Sequence, residues 1–469
     1  MKPQPLFLLA ALVVSALPLA GQAQAVLNAQ SLTPLTAIIE DEIFAGRVPG
    51  AVVLVGQNQH IVYARAFGRR AVLPADETMT LDSIFDLASL TKVVATTPAI
   101  LLLAERGALS LDTPVAHYWP EFAAKGKQGI TVRHLLAHIS GLPISIDLRG
   151  VKQPEDVRYR LAAIKPKTQP GGEPIYSDVN FAILGELVHR ISGHRLDQYV
   201  ARHILKPLGM KDASFLPKPA KHRRIAPSTP NGEVLRRSEV HDPLANSLGL
   251  GAGNAGLFGT AADLALFARA LLPHGHPILK PSSVAQMFIP QTYPATVPRG
   301  LGWRLDAPLA SNRAALPPLG AASHLGYTGT GLWIDPVTGV FVVILSNRLH
   351  LAGGDATPLR ARVIATVAEA VGPIPPALIS AHHPKLASRI APYIPNTVVT
   401  PVRVGIDVLE SQDFSSLHGL RIGLLTNRSG IDNAGRRSID VLFRTPQLAL
   451  MAIFSPEHGL SANREGKVA

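Results

Sequence analysis

Hydrophobic positions follow two kinds of pattern within residues 32–372. Short apolar runs lie near both ends of this stretch, and longer periodic segments fill the middle. The runs at 51–55 and 61–64 predict an early β-hairpin, and those at 331–334 and 340–345 predict two late paired strands around an Asp335-Pro336 turn. We therefore expect a sheet closed by distant segments, a mostly helical insertion, and a cleft between the two parts. The first predicted helix starts at or just before Ser89 and runs to a Gly107 stop, and further helices are predicted at 180–191, 196–205, 261–272 and 358–371.

A second pattern follows a proline-rich stretch. Repeated prolines over residues 372–400 are typical of a semi-rigid linker. Beyond it, apolar runs at 402–406, 421–425 and 449–454 predict buried strands, with a short helix at 437–443. This Rossmann-like α/β order implies a parallel sheet, which needs covering on both faces. We interpret residues 401–469 as the truncated first part of a longer domain.

The N-terminal 25 residues have the pattern of a secretory signal. Lys2 precedes an apolar run at 6–19, and Ala23-Gln24-Ala25 is a suitable cleavage site. The chain contains no cysteine, which excludes a lipoprotein anchor and a disulfide framework. No later stretch is apolar and long enough for a membrane helix. We expect a protein exported to the periplasm or secreted, without stable membrane insertion after signal cleavage.

Composition narrows the class of protein further. With 47% hydrophobic and 17% charged residues, the chain has ample material for a folded core. The formal charge of +12 raises the question of nucleic acid, but the densest basic cluster, at 218–224, has no interleaved aromatic residues. We expect no nucleic-acid partner. Association with anionic cell-wall polymers, or a solvated basic surface, accounts better for the charge.

Candidate chemistry begins at Ser89, which precedes Lys92 in the only Ser-x-x-Lys of the chain. Positions three apart share a face of a helix, so the ammonium is expected beside the hydroxyl. A desolvated lysine there can take the proton of Ser89 and activate it as a nucleophile. The spacing alone carries little weight, because about one match is expected by chance.

Two later motifs support a catalytic role for Ser89 and Lys92. Tyr176 opens Tyr-Ser-Asp just before the predicted helix 180–191, and His324-Leu325-Gly326 precedes the predicted strand 331–334. The ordered set resembles the motifs of the serine β-lactamase and penicillin-binding-protein superfamily, closest to its class C-like esterase, amidase and D-peptidase branch. Residues 131–143, 205–210 and 253–258 resemble the same family, and the resemblance covers residues 32–370. It implies an α/β (α+β) fold with an antiparallel sheet flanked by helices, a helical subdomain, and no cofactor.

The resemblance also implies a mechanism, acyl transfer through a covalent serine ester. Ser89 attacks a carbonyl while Lys92 and Tyr176 share the proton traffic, and either of these two could be the base. The lysine charge is expected to favour the anionic form of the tyrosine. The oxyanion is then held by the backbone N–H groups of Ser89 and Tyr327, and His324 belongs to the third catalytic motif.

Two departures from the family pattern bear on the substrate. Asp178 stands where the family usually has asparagine, and His324 stands where penicillin-recognising members have lysine. Asp178 and Gly326 are expected to contact the substrate. A histidine with its ordinary pKa of about 6.5 is mostly neutral at pH 7 and attracts a substrate carboxylate weakly. We therefore expect an amide or ester without that carboxylate, and weak activity on penicillins.

His134 and His138 are four apart on a predicted helix, a spacing that can bind zinc. The chain has no His-Glu-x-x-His motif and no evident third ligand. We expect no bound metal.

The C-terminal stretch carries a second resemblance. Residues 405–409, 425–430 and 454–460 are similar to the opening of the exo-β-N-acetylmuramidase family, whose proposed catalytic pair matches Glu457 and His458. A glycosidase usually needs two placed carboxyl groups, so we expect no glycosidase activity from this part alone.

The two resemblances together indicate one polymer, the bacterial cell wall. The predicted organisation is a signal peptide (1–25), a serine hydrolase (26–371), a linker (372–400) and a muramidase-like part (401–469). The predicted function is hydrolysis of an amide or ester in peptidoglycan-derived material, with a muropeptide or another small molecule as substrate. A broad carboxylesterase, a weak class C-like β-lactamase and a non-enzymatic cell-wall-binding protein are the alternatives. The oligomeric state is left open.

Overall fold

The computed structural model describes residues 27, 29–229, 237–273, 275–291, 297–310, 321–374, 405–426, 430 and 436–454. The predicted signal peptide lies outside these residues, as do Glu457 and His458 and most of the predicted linker. Contacts between Cα atoms divide the chain into two units, residues 1–386 and 387–469. Each unit is described by itself.

An antiparallel sheet forms the centre of the first unit and confirms the predicted fold class. Both predicted strand pairs lie in it, and the early hairpin is paired to the late strands, as in the register Val53 to Ile344. Seven described strands occur in the order β3-β2-β1-β9-β8-β7-β6, and two short strands, β4 and β5, pair separately. The strands are Gly50–Gln57 (β1), His60–Ala71 (β2), Glu77–Thr78 (β3), Phe85–Asp86 (β4), Phe258–Gly259 (β5), Arg304–Ala307 (β6), Ala321–Leu325 (β7), Gly331–Ile334 (β8) and Val340–Ser346 (β9).

The central strands β1, β8 and β9 are buried on both faces, which explains their continuous apolar runs, whereas β2 is mostly half-buried or exposed. Successive side chains of a strand point to opposite faces. In β1, Val52 and Leu54 pack into the core shared with the helical part, whereas Val53 and Val55 pack into a second core on the other face. Both cores need apolar residues, so the run does not alternate with polar positions.

Helices cover the two faces unequally. Leu35–Phe44 (α1) and Thr357–Val371 (α11) contribute to the second core, and the remaining helices of the first unit surround the first. The predicted helix 89–107 begins after Ser89 and passes through a π-helical turn, Lys92–Thr96, before its regular part. The other helices are Thr97–Glu105 (α2), Val115–Tyr118 (α3), Val132–Leu136 (α4), Pro154–Ala163 (α5), Asp178–Ser192 (α6), Leu196–Val200 (α7), Pro243–Leu248 (α8), Ala261–Ala270 (α9) and Pro281–Met287 (α10).

The second unit contains a parallel pair of strands, Arg421–Leu425 (β10) and Ala449–Phe454 (β11), as predicted. Helix Ser438–Phe443 (α13) lies between them in the chain. The strand predicted at 402–406 is wrong at its C-terminal end, because helix Gly405–Ser411 (α12) begins there; residues 402–404 lie outside the described part.

The predicted burial of these two strands is also wrong. Leu425 is 71% exposed and Phe454 is 58% exposed. The apolar cluster of this unit centres on three buried side chains, Phe414, Val441 and Leu442, and does not enclose the strands. None of the helices in the described part of the chain has the length and apolar character that crossing a membrane requires.

Candidate active site

Ser89 and Lys92 lie side by side at the start of the helix that follows β4. Lys92 has no exposed surface, and its ammonium donates three hydrogen bonds. The acceptors are Ser89 Oγ at 3.0 Å, Asp178 Oδ1 at 2.6 Å and the carbonyl oxygen of Asn254 at 2.8 Å. The short contact with Asp178, the first residue of α6, is an ion pair. It joins the Tyr-Ser-Asp motif to the Ser-x-x-Lys motif.

The charge of Lys92 depends on these partners. Burial lowers the pKa of Lys92, but the Tyr176 and Asp178 side chains together outweigh burial and hold the pKa above its ordinary value. At neutral pH the side chain is therefore an ammonium. An ammonium has no lone pair and cannot accept the proton of Ser89.

Tyr176 lies between cationic and aromatic neighbours. The centre of its ring is 5.1 Å from Lys92 Nζ and 5.5 Å from the guanidinium carbon of Arg299. On another side the ring of His138 packs against it at 4.7 Å. His324 is the fourth neighbour, with its ring centre 6.1 Å away. The structure thus brings the three predicted motifs together.

His324 is a neutral imidazole in this setting. It is 3% exposed, and its Nδ1 lies 3.1 Å from the carbonyl oxygen of Leu325. Burial lowers the pKa of His324 well below its ordinary value, and the charges of Lys92 and Arg299 lower it further. Its Nε2 is buried and has no hydrogen-bond partner in the described part of the chain. The third motif therefore supplies a polar atom and no charge, as expected from the lysine-to-histidine departure.

The turn after His324 packs directly on the Ser89 segment. A Cβ at Gly326 would lie 2.7 Å from the carbonyl oxygen of Leu87 and would clash with Thr330 Oγ1, so only glycine fits. The backbone N–H groups of Ser89 and Tyr327 donate to no acceptor among the described residues. Both groups of the predicted oxyanion pair are therefore available.

Arginines dominate the open side of this cleft, whose volume is about 450 Å³. Arg299 is 9% exposed, and among the described residues its Nη1 has no hydrogen-bond partner and no carboxylate forms an ion pair with it. Arg304 forms an ion pair with Asp306, whereas Arg348 and Arg360 bind the turn that follows His324. Arg348 Nε donates to the carbonyl oxygen of Tyr327, and Arg360 Nη2 donates to those of Gly326 and Thr330.

Sequence reasoning missed these arginines and the carbonyl of Asn254. Asn254 lies in the stretch 253–258, which resembles the family, and this resemblance is a usable signal for it. The four arginines belong to no short motif. Only the fold brings positions 299, 304, 348 and 360 to the same cleft as Ser89.

The histidines considered for a metal serve other purposes. Helix α4 ends at Leu136, so the prediction that His134 and His138 lie on one helix is wrong. His134 Nδ1 accepts the N–H of Thr131 at 3.2 Å, and His138 Nδ1 accepts the N–H of Ser177 at 3.0 Å. Within the described ranges, no group of three or more His, Asp or Glu side chains is placed to hold a metal.

Comparison with known proteins identifies the family of this first unit. Residues 35–366 match the family model described as Beta-lactamase. The chain belongs to the beta-lactamase family. Two relatives, from Escherichia coli O157:H7 and Escherichia coli K12, are 32% and 31% identical over 69% of this chain and 83% of their own length. Both carry the name "Putative D-alanyl-D-alanine carboxypeptidase".

Solved structures of this beta-lactamase family share the fold. A class C beta-lactamase has a TM-score of 0.61 at 20% identity, covering 72% of this chain and 96% of its own. EstCE1, a hydrolase with promiscuous acyltransferase activity, has a TM-score of 0.61 at 23% identity, covering 72% and 99%. A penicillin-binding-protein homologue from Caulobacter crescentus has a TM-score of 0.58 at 21% identity, covering 72% and 97%. The protein is thus a hydrolase of the serine beta-lactamase superfamily.

The C-terminal part matches a different family. Residues 422–468 match the model described as Exo-beta-N-acetylmuramidase NamZ, N-terminal. Glu457 and His458 fall within this match but outside the described residues, so they stay sequence predictions.

Proposed function

We propose that Ser89 is the nucleophile of an acyl-enzyme mechanism acting on an amide or ester in peptidoglycan-derived material. The observation that carries the proposal is the buried Lys92 ammonium, 3.0 Å from Ser89 Oγ and ion-paired to Asp178. A buried charge is costly unless it is paired and hydrogen-bonded, and all three protons of this ammonium have acceptors. Such an arrangement beside a serine hydroxyl favours catalysis over a purely structural role.

The proposed chemistry divides the roles of the motif residues. Since Lys92 is charged and cannot accept a proton, Tyr176 in its phenolate form, which the Lys92 ammonium favours, takes the proton of Ser89 as Ser89 Oγ bonds to the substrate carbonyl carbon. The N–H groups of Ser89 and Tyr327 stabilise the oxyanion, a contribution of about 3–4 kcal/mol for one such donor. Tyr176 then gives the proton to the leaving nitrogen or oxygen, the scissile bond breaks, and water hydrolyses the ester on Ser89.

Arg299 changes the expected substrate. A neutral His324 predicts a substrate without a carboxylate, because an uncharged imidazole attracts a carboxylate weakly. Arg299 lines the same cleft, and its Nη1 has no hydrogen-bond partner among the described residues. We propose that the substrate carries an anionic group near the scissile bond, held by Arg299. The names of the Escherichia coli relatives and the muramidase-like C-terminal match support a cell-wall substrate.

A broad carboxylesterase is the second candidate. The neutral His324 favours it, because a site without charge at the third motif accepts neutral esters as well. The non-enzymatic alternative has less support, because every motif residue is present and in contact with another.

One panel of substrates tests the proposal. The full chain and its Ser89→Ala variant would be incubated with short-chain p-nitrophenyl esters, a chromogenic cephalosporin, D-alanyl-D-alanine peptides and purified muropeptides. We expect turnover of muropeptides or D-peptides, an acyl adduct on Ser89 by intact mass, and neither in Ser89→Ala. The exposed Ser110→Ala is the matched control and should behave as wild type.

The outcomes separate the candidates. Ester turnover without any action on muropeptides or D-peptides would favour the carboxylesterase. Full activity of Ser89→Ala would refute the nucleophile, and no turnover with no adduct would favour a binding protein.

A further inference from the structure

Asp86 is a buried carboxylate next to the predicted nucleophile, and none of the roles above uses it. It is 3% exposed. Its Oδ1 accepts the backbone N–H of Ala88 at 2.8 Å, and its Oδ2 accepts the backbone N–H of His241 at 2.9 Å. No cation pairs with it in the described part of the chain. A buried carboxylate without a counter-ion is costly, so its two contacts call for an explanation.

The first contact holds a disfavoured backbone conformation. Ala88 has φ of +47°, the left-handed region that residues with a Cβ rarely adopt. Ala88 directly precedes Ser89, so its conformation sets the direction of both the Ser89 hydroxyl and the Ser89 N–H. Thr91 supports the same turn, since its Oγ1 and its N–H both donate to the carbonyl oxygen of Ala88, at 2.7 Å and 3.0 Å.

The second contact, with the N–H of His241, connects Asp86 to Tyr327, whose N–H is the other donor of the predicted oxyanion pair. The ring of His241 stacks on the ring of Tyr327, with centres 5.4 Å apart. The carbonyl oxygen of Asp86 also accepts Thr328 Oγ1 at 2.7 Å, and that of Leu87 accepts Thr330 Oγ1 at 3.1 Å. The Asp86 segment therefore contacts both the Ser89 turn and the turn that carries Tyr327.

We infer that Asp86 is a positioning residue, whose carboxylate holds Ala88 in the left-handed conformation and His241 against Tyr327, and so aligns the N–H groups of Ser89 and Tyr327 on one substrate oxygen. The inference rests on the proposed function, because it needs Ser89 as the nucleophile. It assigns Asp86 no direct contact with the substrate. The role requires the ionised form, in which both oxygens accept an N–H.

Ionisation of Asp86 gives the role a pH dependence. Burial raises the pKa of Asp86 to about 6, which the N–H groups of His241 and Ala88 oppose and the nearby Asp242 carboxylate supports. The titratable and charged groups on the segments packed against Asp86 include His241, Asp242 and Tyr327, with the Arg348 guanidinium 4.4 Å from the Tyr327 ring centre, and strand β5 contributes none. Burial lowers the pKa of His241, which favours the neutral imidazole. Protonation of Asp86 converts one accepting oxygen into a hydroxyl, and one of the two contacts is lost.

The test is Asp86→Asn, which keeps the size of the side chain but turns an NH₂ group towards one of the two N–H donors. We expect kcat for a short-chain p-nitrophenyl ester to fall by about 10- to 100-fold, the effect of losing a hydrogen bond to a charged group, with KM little changed. The acid limb of the wild-type kcat profile, expected near pH 6, should disappear from the variant. The wild-type profile gives a reading even if the variant folds poorly.

Two further variants separate positioning from stability. Ala88→Gly in the Asp86→Asn background should recover part of kcat, since glycine adopts a positive φ without a Cβ penalty. Asp263→Asn is the matched control, because Asp263 is a 4%-exposed carboxylate that accepts the N–H of Thr260 at 3.1 Å away from the cleft. It should lower the melting temperature without lowering kcat per folded molecule.

The inference is overturned if Asp86→Asn has the wild-type kcat, if its loss equals the fraction unfolded as in Asp263→Asn, or if Ala88→Gly recovers nothing. Ser89→Ala keeps the two proposals apart. An inactive Ser89→Ala beside a fully active Asp86→Asn refutes only the positioning role, whereas an active Ser89→Ala refutes the nucleophile itself.

Discussion

Asp178 is the departure from the family pattern that the structure makes most testable. Its Oδ1 lies 2.6 Å from the Nζ of Lys92, which is fully buried, while the Asp178 side chain is 25% exposed. The change Asp178→Asn restores the usual family residue and removes the negative charge of the pair. The amide oxygen introduced there can still accept one hydrogen bond from the ammonium.

The size of the effect follows from the geometry of the pair. Two unit charges at this distance attract by about 6 kcal/mol with an effective dielectric constant of about 20. Desolvation offsets part of this, and removing one partner of a buried pair costs about 3–5 kcal/mol. The retained hydrogen bond returns about 1 kcal/mol, which leaves about 2–4 kcal/mol of destabilisation. For a folded unit the size of residues 35–366, this lowers the melting temperature by about 3–6 °C.

The pH dependence gives a sharper test than stability. The pKa of Lys92 is raised in the folded protein, so the stabilisation from the pair is fully present below the ordinary lysine pKa and is lost as the pH rises through the folded value. Without Asp178 the folded pKa of Lys92 falls. If the ammonium is needed for acylation, the alkaline limb of kcat/KM moves to lower pH in Asp178→Asn. Initial rates of p-nitrophenyl ester hydrolysis would be followed from neutral to strongly alkaline pH, each corrected for hydrolysis without enzyme.

Asp197→Asn is the matched control for that experiment. Asp197 also lies in the first turn of a helix, α7, and also forms an ion pair, with Arg195 at 3.0 Å. It does not line the cleft of Ser89. The control should leave the alkaline limb in place. An alkaline limb that stays in place in Asp178→Asn, or moves to higher pH, would show that Asp178 does not maintain the charge of Lys92.

Two further changes probe the cleft. Arg299→Gln should raise KM for a substrate with a carboxylate near the scissile bond by about 10- to 100-fold, since a charge-assisted hydrogen bond is lost, and should leave a neutral ester unaffected. Arg304→Gln is the control, because Arg304 already pairs with Asp306, and an equal loss on the neutral ester in Arg299→Gln would contradict anion binding. Gly326→Ala should lower kcat and the melting temperature, because its Cβ would meet the Leu87 carbonyl and Thr330. Gly129→Ala, with nothing within 4 Å, is the control for steady-state rates and thermal unfolding, and wild-type values for Gly326→Ala would show that the turn can yield.

The fold could be predicted from the sequence wherever a segment's own pattern decides its structure. Strand β1 is apolar from Ala51 to Val55 because both of its faces are buried, and its length distinguishes it from a helix. The apolar run at 402–406 shows the limit of that reasoning. A run of five residues fits either element, and α12 continues to Ser411 with Asp407 in its first turn.

The residues of the site also fall into two groups, those that a short motif reveals and those that only the fold brings together. Ser89, Lys92, Tyr176 and His324 lie in short motifs, and the structure places them together. Arg299 has no motif, and its relation to Tyr176 arises from a contact across more than a hundred positions of the chain. Asp86 is close to Ser89 in the sequence, but its proposed role depends on contacts with residues 241 and 328, which are distant in the chain.

The replacement of the family's lysine at position 324 therefore does not remove positive charge from the cleft. Burial, and secondarily the charge of Arg304, lowers the pKa of Arg299 to about 10, which still leaves its guanidinium charged at neutral pH. His324 is held neutral at the same pH, since burial lowers its pKa. An anionic substrate held by Arg299 would thus bind with an affinity that is constant across the range in which an ordinary histidine titrates. The pH dependence of catalysis then reports on Asp86 at the acid end and Lys92 at the alkaline end, and the two limbs can be altered separately by Asp86→Asn and Asp178→Asn.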